Sequence, residues 1–185
     1  MRIRLILTIA LLIILQNSSI MANQITAHNF TLPLLNGNEL NLASMKGRVI
    51  LVINTASQCG FVSQLKPLEN MYQKYKPYGL EVIAIPSNEF RQQEPLSNEQ
   101  LKNFFFNQHK VTFTVTQKLT VHGENSKPFM KWLNKEAGML GQAKWNFYKY
   151  IIDKDGQLID WFSSLTPPDS PKIIKVIEKE LGYTK

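Results

Sequence analysis

The apolar residues of the chain fall into runs and stripes that predict alternating strands and helices. Residues 48–54 and 80–85 are continuous, largely branched apolar runs, which are typical of strands covered on both faces of a sheet. Between them, apolar residues recur at helical spacing from Pro67 to about Lys76, and proline fits the first turn of a helix. This order predicts a βαβ unit with parallel strands and a right-handed connection.

Two dipeptides predict hairpins on either side of this unit. Asn36-Gly37 separates two apolar runs within residues 30–42, and this pair favours a two-residue turn. Asp155-Gly156 separates the predicted strands 147–153 and 157–162 in the same way. One antiparallel hairpin therefore precedes the βαβ unit, and one follows it.

Three further stretches predict helices. Ser97 and Gln100 form a capping box at the start of residues 98–108. Residues 128–135 favour a short helix, and Pro171 starts a final helix whose apolar stripe ends at Leu181. The predicted fold class is α/β, with a mixed central sheet flanked by helices and an N-terminal β-hairpin. In such sheets, sites gather beyond the carboxyl ends of the strands.

The first 22 residues differ in composition from the rest of the chain. Arg2 and Arg4 precede an apolar segment at residues 5–15 that is interrupted by Thr8, and Ala22 is a small residue at a candidate cleavage position. As a helix this segment spans only ~16 Å, which is too short to cross a membrane. The order predicts a signal peptide over residues 1–22 and one domain over residues 23–185 of an exported, periplasmic or secreted protein. The alternative is an uncleaved anchor.

Composition and charge exclude several function classes. The chain has 185 residues, of which 44% are hydrophobic and 19% charged, as expected of one globular domain. Its net charge is +7, and loss of Arg2 and Arg4 leaves +5. The lysines are dispersed and form no basic patch with interleaved aromatic residues, so we expect no nucleic-acid partner. Three scattered histidines and one cysteine offer no metal-ligand spacing, so we expect neither a metal nor another cofactor.

Cys59 is the only cysteine, and it lies just past the predicted strand 48–54. A lone cysteine cannot form an internal disulfide, so its thiol is either buried and inert or kept because it reacts. Val62 excludes a Cys-x-x-Cys redox pair, and Ser63 excludes a Cys-x-x-x-Cys copper site. Ala56 stands where a peroxiredoxin motif has threonine, and no histidine lies in a motif typical of a papain-like pair.

Four separated stretches, in this order, resemble the glutathione peroxidase family in its cysteine-containing form. They are NTASQCGF at residues 54–61, EVIAIPSNEFRQQEP at 81–95, VTFTVTQKLTVHGENSKPFMKWL at 111–133 and AKWNFYKYIIDKDGQLIDWF at 143–162. The similarity runs from about Phe30 to Leu181. It implies a thioredoxin-like fold and the reduction of peroxides by thiols.

The resemblance also implies a site of four residues. These are the nucleophile Cys59, Gln93 of a Gln-Glu-Pro motif, and Trp145 and Asn146 of a Trp-Asn-Phe motif. The Cys59 thiolate would attack a peroxide oxygen and become a sulfenic acid. The two amides and the indole are N–H donors that would stabilise negative charge on the departing oxygen.

Two departures from the family pattern bear on the reductant. Ser87 stands where many members have cysteine, and three phenylalanines at residues 104–106 occupy the region where thioredoxin-dependent members carry a resolving cysteine. We therefore expect an external thiol, glutathione or a thioredoxin-like protein, to reduce Cys59. The interval from Pro128 to Trp145 is short, as in the compact monomeric members. We therefore expect a monomer that also acts on lipid hydroperoxides at a membrane surface.

Two alternatives remain open on the sequence. A thioredoxin-fold sensor or binding protein would pass the oxidation of Cys59 to a partner thiol through a mixed disulfide. A structural domain would hold Cys59 as an inert buried residue. The rate at which the thiol reacts near neutral pH separates the last of these from the others.

Overall fold

A computed structural model describes residues 24–184, so the predicted signal peptide at residues 1–22 lies outside the described residues. In chain order the strands and helices are β1 (Thr31–Pro33), β2 (Glu39–Asn41), β3 (Val49–Thr55), α1 (Leu65–Tyr75), β4 (Leu80–Pro86), α2 (Asn98–Lys102), β5 (Thr114–Val115), α3 (Pro128–Gly141), β6 (Lys149–Ile152), β7 (Leu158–Phe162) and α4 (Pro171–Leu181).

The central sheet is mixed and has the strand order β5-β4-β3-β6-β7. β3 pairs in parallel with β4, with Val49 opposite Leu80, and α1 connects the two strands. β6 pairs antiparallel with both β3 and β7. The predicted βαβ unit, the C-terminal hairpin and the mixed sheet are therefore confirmed.

The N-terminal hairpin lies outside this sheet. β1 and β2 pair antiparallel with Thr31 opposite Asn41, which confirms the predicted hairpin. The Leu34 N–H donates to the Asn38 carbonyl at 2.8 Å, so the connecting loop has one residue more than the predicted two-residue turn. Gly37 in this loop has φ +90°, a conformation that glycine adopts without steric cost.

The predicted helix 98–108 divides into α2 and a π-helical segment, Asn103–Gln108, and two other helices differ from the sequence prediction at one end. α1 begins at Leu65 rather than Pro67, and a 3₁₀ segment, Gly60–Gln64, leads directly into it. Helical structure therefore starts immediately after Cys59. α3 extends to Gly141, beyond the predicted end at residue 135, with Gly138 in a non-helical conformation at φ 65°.

The central strand β3 is buried on both faces, because two apolar clusters enclose the sheet. Leu51 and Ile53 belong to one cluster with residues of α1, α4 and Cys59, and Ile50 and Val52 belong to the other with residues of α3. This burial explains the continuous apolar run that predicted the strand. None of the helices found between residues 24 and 184 combines the length and the hydropathy needed to cross a bilayer.

Candidate active site

The parallel pairing of β3 and β4 brings two of the predicted site residues to one edge of the sheet. Parallel strands end at the same edge, so the loop after β3, with Cys59, lies beside the loop after β4, with Gln93. The backbone N–H of Gln58 donates to the carbonyl of Gln93 at 3.0 Å. This bond joins the residue before Cys59 directly to the second predicted site residue.

The antiparallel pairing of β6 with β3 brings the other two residues to the same edge. Trp145 and Asn146 precede the start of β6, which lies next to the carboxyl end of β3. The buried Asn54 of β3 holds this segment, because its Nδ2 donates to the carbonyl of Trp145 at 3.0 Å. Its Oδ1 accepts from the backbone N–H of Tyr148 at 2.9 Å. Sequence reasoning missed Asn54, although it is a polar residue ending an apolar strand.

Gln93 and Asn146 are in direct contact. Nδ2 of Asn146 donates to Oε1 of Gln93 at 3.0 Å. Gln93 accepts this bond through its amide oxygen, so the bond does not use its Nε2–H₂ donor group. Asn146 is fully buried, and its Oδ1 accepts no hydrogen bond within the part of the chain that the structure describes.

Cys59 lies beneath the surface at the start of the 3₁₀ segment. Its side chain is 2% exposed and belongs to the apolar cluster on one face of the sheet. Trp145 is partly buried and packs against that cluster. Among residues 24–184, no hydrogen bond joins the Cys59 sulfur to Gln93, Trp145 or Asn146. The structure therefore brings Gln93 and Asn146 together and places Trp145 against the apolar cluster, while the assignment of all four to one site stays a prediction.

Glu94 supports the loop that carries Cys59 and was also missed by sequence reasoning. Its two carboxylate oxygens accept from the backbone N–H of Ser57 at 2.8 Å and from the Ser57 hydroxyl at 2.7 Å. Burial raises the pKa of the Glu94 carboxyl, and the hydrogen bonds from Ser57 act in the opposite direction. Its position next to Gln93 in the Gln-Glu-Pro motif was the signal that could have identified it.

The backbone just before Gln93 is strained. Arg91 and Gln92 have φ values of 54° and 53°, in the left-handed region that favours glycine. This conformation costs an L-residue roughly 1–2 kcal/mol. Strain of this kind persists where the surrounding structure enforces it, and it clusters at functional sites.

A cleft of about 600 Å³ opens beside the Cys59 loop. Ser57 and Gln58 line one part of it, and Phe104 in the helical turn after α2 lines another. None of the four predicted site residues is among its lining residues. The cleft therefore adjoins the candidate site without containing it.

Sequence comparison identifies the family. The family model described as "Glutathione peroxidase" matches residues 27–134. A glutathione peroxidase of Lactococcus lactis is 40% identical over 77% of this chain and 92% of its own length. The glutathione peroxidase-like peroxiredoxin of Schizosaccharomyces pombe is 42% identical over 72% of this chain and 85% of its own length. A Mesembryanthemum crystallinum protein named "Probable phospholipid hydroperoxide glutathione peroxidase" is 39% identical over 84% of this chain and 92% of its own.

Solved structures confirm the predicted thioredoxin-like fold. The crystal structure of Trgpx in its apo form has a TM-score of 0.71 and 37% identity, and the similarity covers 86% of this chain and 97% of that one. A thioredoxin family thiol:disulfide interchange protein of Chlorobium tepidum has a TM-score of 0.63 over 83% of this chain and 93% of its own, with 17% identity, and so supports the fold alone. The family model and the relatives together show that this chain belongs to the glutathione peroxidase family.

Proposed function

We propose that the protein reduces hydrogen peroxide and organic hydroperoxides with Cys59 as its nucleophile, and that an external thiol returns Cys59 to its reduced form. Membership in the glutathione peroxidase family makes the chain a thiol-dependent peroxidase. The observation that carries the assignment of residues is the Asn146–Gln93 hydrogen bond at 3.0 Å beside the Cys59 loop. It fixes the orientation of one amide donor, as preorganised stabilisation of a developing charge requires.

The oxidation step involves one sulfur and two peroxide oxygens. The Cys59 thiolate attacks one oxygen, so that an S–O bond forms while the O–O bond breaks. The sulfur is oxidised to a sulfenic acid, and the peroxide is reduced to water or an alcohol after the departing oxygen takes up a proton. The amide of Gln93 and the indole N–H of Trp145 would stabilise the charge on that oxygen.

The reduction step requires two equivalents of external thiol. Because the chain has a single cysteine, no internal disulfide can form. The first thiol attacks the sulfenic sulfur, releases water and leaves a mixed disulfide; the second attacks the disulfide and releases Cys59. Glutathione and a thioredoxin-like protein are the two classes of reductant that fit.

Location, substrate size and assembly are proposed from the sequence. The basic, apolar and small-residue order of residues 1–22 supports export across a membrane. The short interval between Pro128 and Trp145 supports a compact monomer that accepts lipid hydroperoxides, as does a relative named for phospholipid hydroperoxide. Gel filtration of the protein and turnover of phosphatidylcholine hydroperoxide test these two proposals.

The second candidate is a redox sensor that passes its oxidation to a partner protein. The single cysteine is consistent with both candidates, because oxidised Cys59 must react with another molecule in either case. Rapid oxidation of Cys59, negligible turnover with glutathione and a trapped mixed disulfide with a protein partner would favour the sensor. Sustained turnover with glutathione would favour the peroxidase.

The test of the main proposal is the oxidation of Cys59 by stoichiometric hydrogen peroxide, followed by mass spectrometry of the sulfenic acid. We expect Cys59→Ser to abolish turnover. Gln93→Ala and Trp145→Phe should slow oxidation about a hundredfold, since loss of one preorganised donor costs roughly 3 kcal/mol. Gln92→Ala and Trp161→Phe are matched controls and should leave the rate nearly unchanged. If Cys59 is oxidised no faster than free cysteine, the proposal is refuted. The alternative, that Cys59 is an inert buried residue, would then stand, in agreement with its 2% exposure.

A further inference from the structure

Arg91 presents an uncompensated positive charge beside Trp145. The centre of its guanidinium group lies 5.4 Å from the centroid of the Trp145 ring, a distance typical of a cation–π contact. Arg91 itself is exposed, and it takes part in no ion pair within residues 24–184. A guanidinium in a cation–π contact keeps its N–H donors available to a planar oxyanion.

The acidic residues of the same loop do not neutralise this charge. The Glu94 carboxylate faces inward and accepts from Ser57. The Glu89 carboxylate accepts from the hydroxyl of Ser87 at 2.5 Å and from the backbone N–H of Val121 at 3.0 Å. Both carboxylates on either side of Arg91 are thus engaged by internal donors.

The loop conformation fixes where this charge lies. Arg91 has φ 54° and Gln92 has φ 53°, so glycine would suit both positions better than the residues that occupy them. Gln93, which follows, is held by its hydrogen bond from Asn146 and by its carbonyl contact with Gln58. The backbone of Arg91 thus lies two residues before Gln93, and its guanidinium lies over the Trp145 ring.

We propose that Arg91 binds the carboxylate group of an anionic reactant and thereby selects which molecules react rapidly at Cys59. This inference rests on the proposed function, because it places Arg91 at the approach to the same site. The oxyanion belongs either to the thiol reductant or to the peroxide. In both cases Arg91 distinguishes a reactant with free carboxylates from its ester.

The experiment compares matched charged and neutral reactants in the two half-reactions of the protein. Oxidation of Cys59 is measured with linoleic acid hydroperoxide and with its methyl ester, and reduction is measured with glutathione and with glutathione diethyl ester. In Arg91→Gln we expect the rate constant for at least one carboxylate reactant to fall about 5-fold, with its ester unaffected. Arg91→Lys should retain most of the preference, because it keeps the charge. Lys144→Gln, which removes an exposed charge next to Trp145 in sequence, is the control and should leave the preference unchanged.

The outcomes of these measurements either support or overturn the proposed role of Arg91. A loss confined to the fatty-acid hydroperoxide assigns the oxyanion to the peroxide, and a loss confined to glutathione assigns it to the reductant. An unchanged preference for the carboxylate over its ester, an equal loss of rate with both, or an equal effect of Lys144→Gln would overturn the proposal.

Calorimetric titration with the unreactive analogues S-methylglutathione and linoleate gives an independent readout, since one of them should bind about 5-fold more weakly to Arg91→Gln. If Cys59 is not oxidised by hydrogen peroxide, the proposed function fails, whereas the inference on Arg91 fails if neither analogue binds to wild-type protein.

Discussion

Replacing Lys149 with methionine should stabilise the protein in a strongly pH-dependent way. Lys149 in β6 is fully buried, and its Nζ donates to the carbonyl of Thr166 at 2.7 Å. No carboxylate pairs with it within residues 24–184. Burial therefore lowers the pKa of Lys149 from its usual 10.5 to about 7.

The size and sign of the effect follow from this shift in pKa. Between about pH 7 and pH 10.5 the unfolded state binds up to one more proton at Lys149 than the folded state, so the contribution of Lys149 to wild-type stability rises with pH. Burial of Lys149 costs about 4 kcal/mol at pH 7 and about 1 kcal/mol at pH 9.5. Methionine removes this cost and also the hydrogen bond to Thr166, which contributes about 1 kcal/mol. The variant should be about 3 kcal/mol more stable at pH 7 and nearly equal to wild type at pH 9.5.

Urea unfolding of both proteins at several values between pH 7 and pH 9.5 measures this difference. Other groups titrate in both proteins, so their contributions cancel when the two free energies of unfolding are subtracted. Lys154→Met is the matched control, because Lys154 is exposed although its amine also donates to a backbone carbonyl. A difference between Lys149→Met and wild type that is independent of pH would refute the reasoning.

Two further predictions concern the residues that support the site. Asn54→Ala removes the acceptor for the Tyr148 N–H, so the free energy of unfolding, measured by chemical denaturation, should fall by about 2 kcal/mol. Stopped-flow kinetics should also show slower oxidation of Cys59. If neither quantity changes, Asn54 does not support the site. Glu94→Gln replaces one of the two oxygens that accept from Ser57 with an N–H donor, so the oxidation of Cys59 should slow by about 10-fold. Glu99→Gln, an exposed change of the same kind, should leave the rate unchanged, and equal rates in all three proteins would contradict the role of Glu94.

Local patterns determined much of the fold. The runs at residues 48–54 and 80–85 predicted two buried parallel strands, because a strand covered on both faces needs apolar side chains in both directions. The dipeptide Asp155-Gly156 and the capping box opened by Ser97 marked a turn and a helix start through bonds between near neighbours. The start of α1 was wrong by two residues, because Pro67 is tolerated anywhere in the first turn of a helix.

Only the tertiary structure decided how the candidate site is held together. The bond from Asn54 to Trp145 spans 91 positions in the sequence, and the bond from Asn146 to Gln93 spans 53. Such pairs depend on which strands become neighbours and which face each side chain occupies, and no local pattern encodes either. Lys149 illustrates the same limit: the sequence predicted a strand over residues 147–153, but the sheet order determined that the Lys149 side chain would lie inside, without a carboxylate partner among residues 24–184.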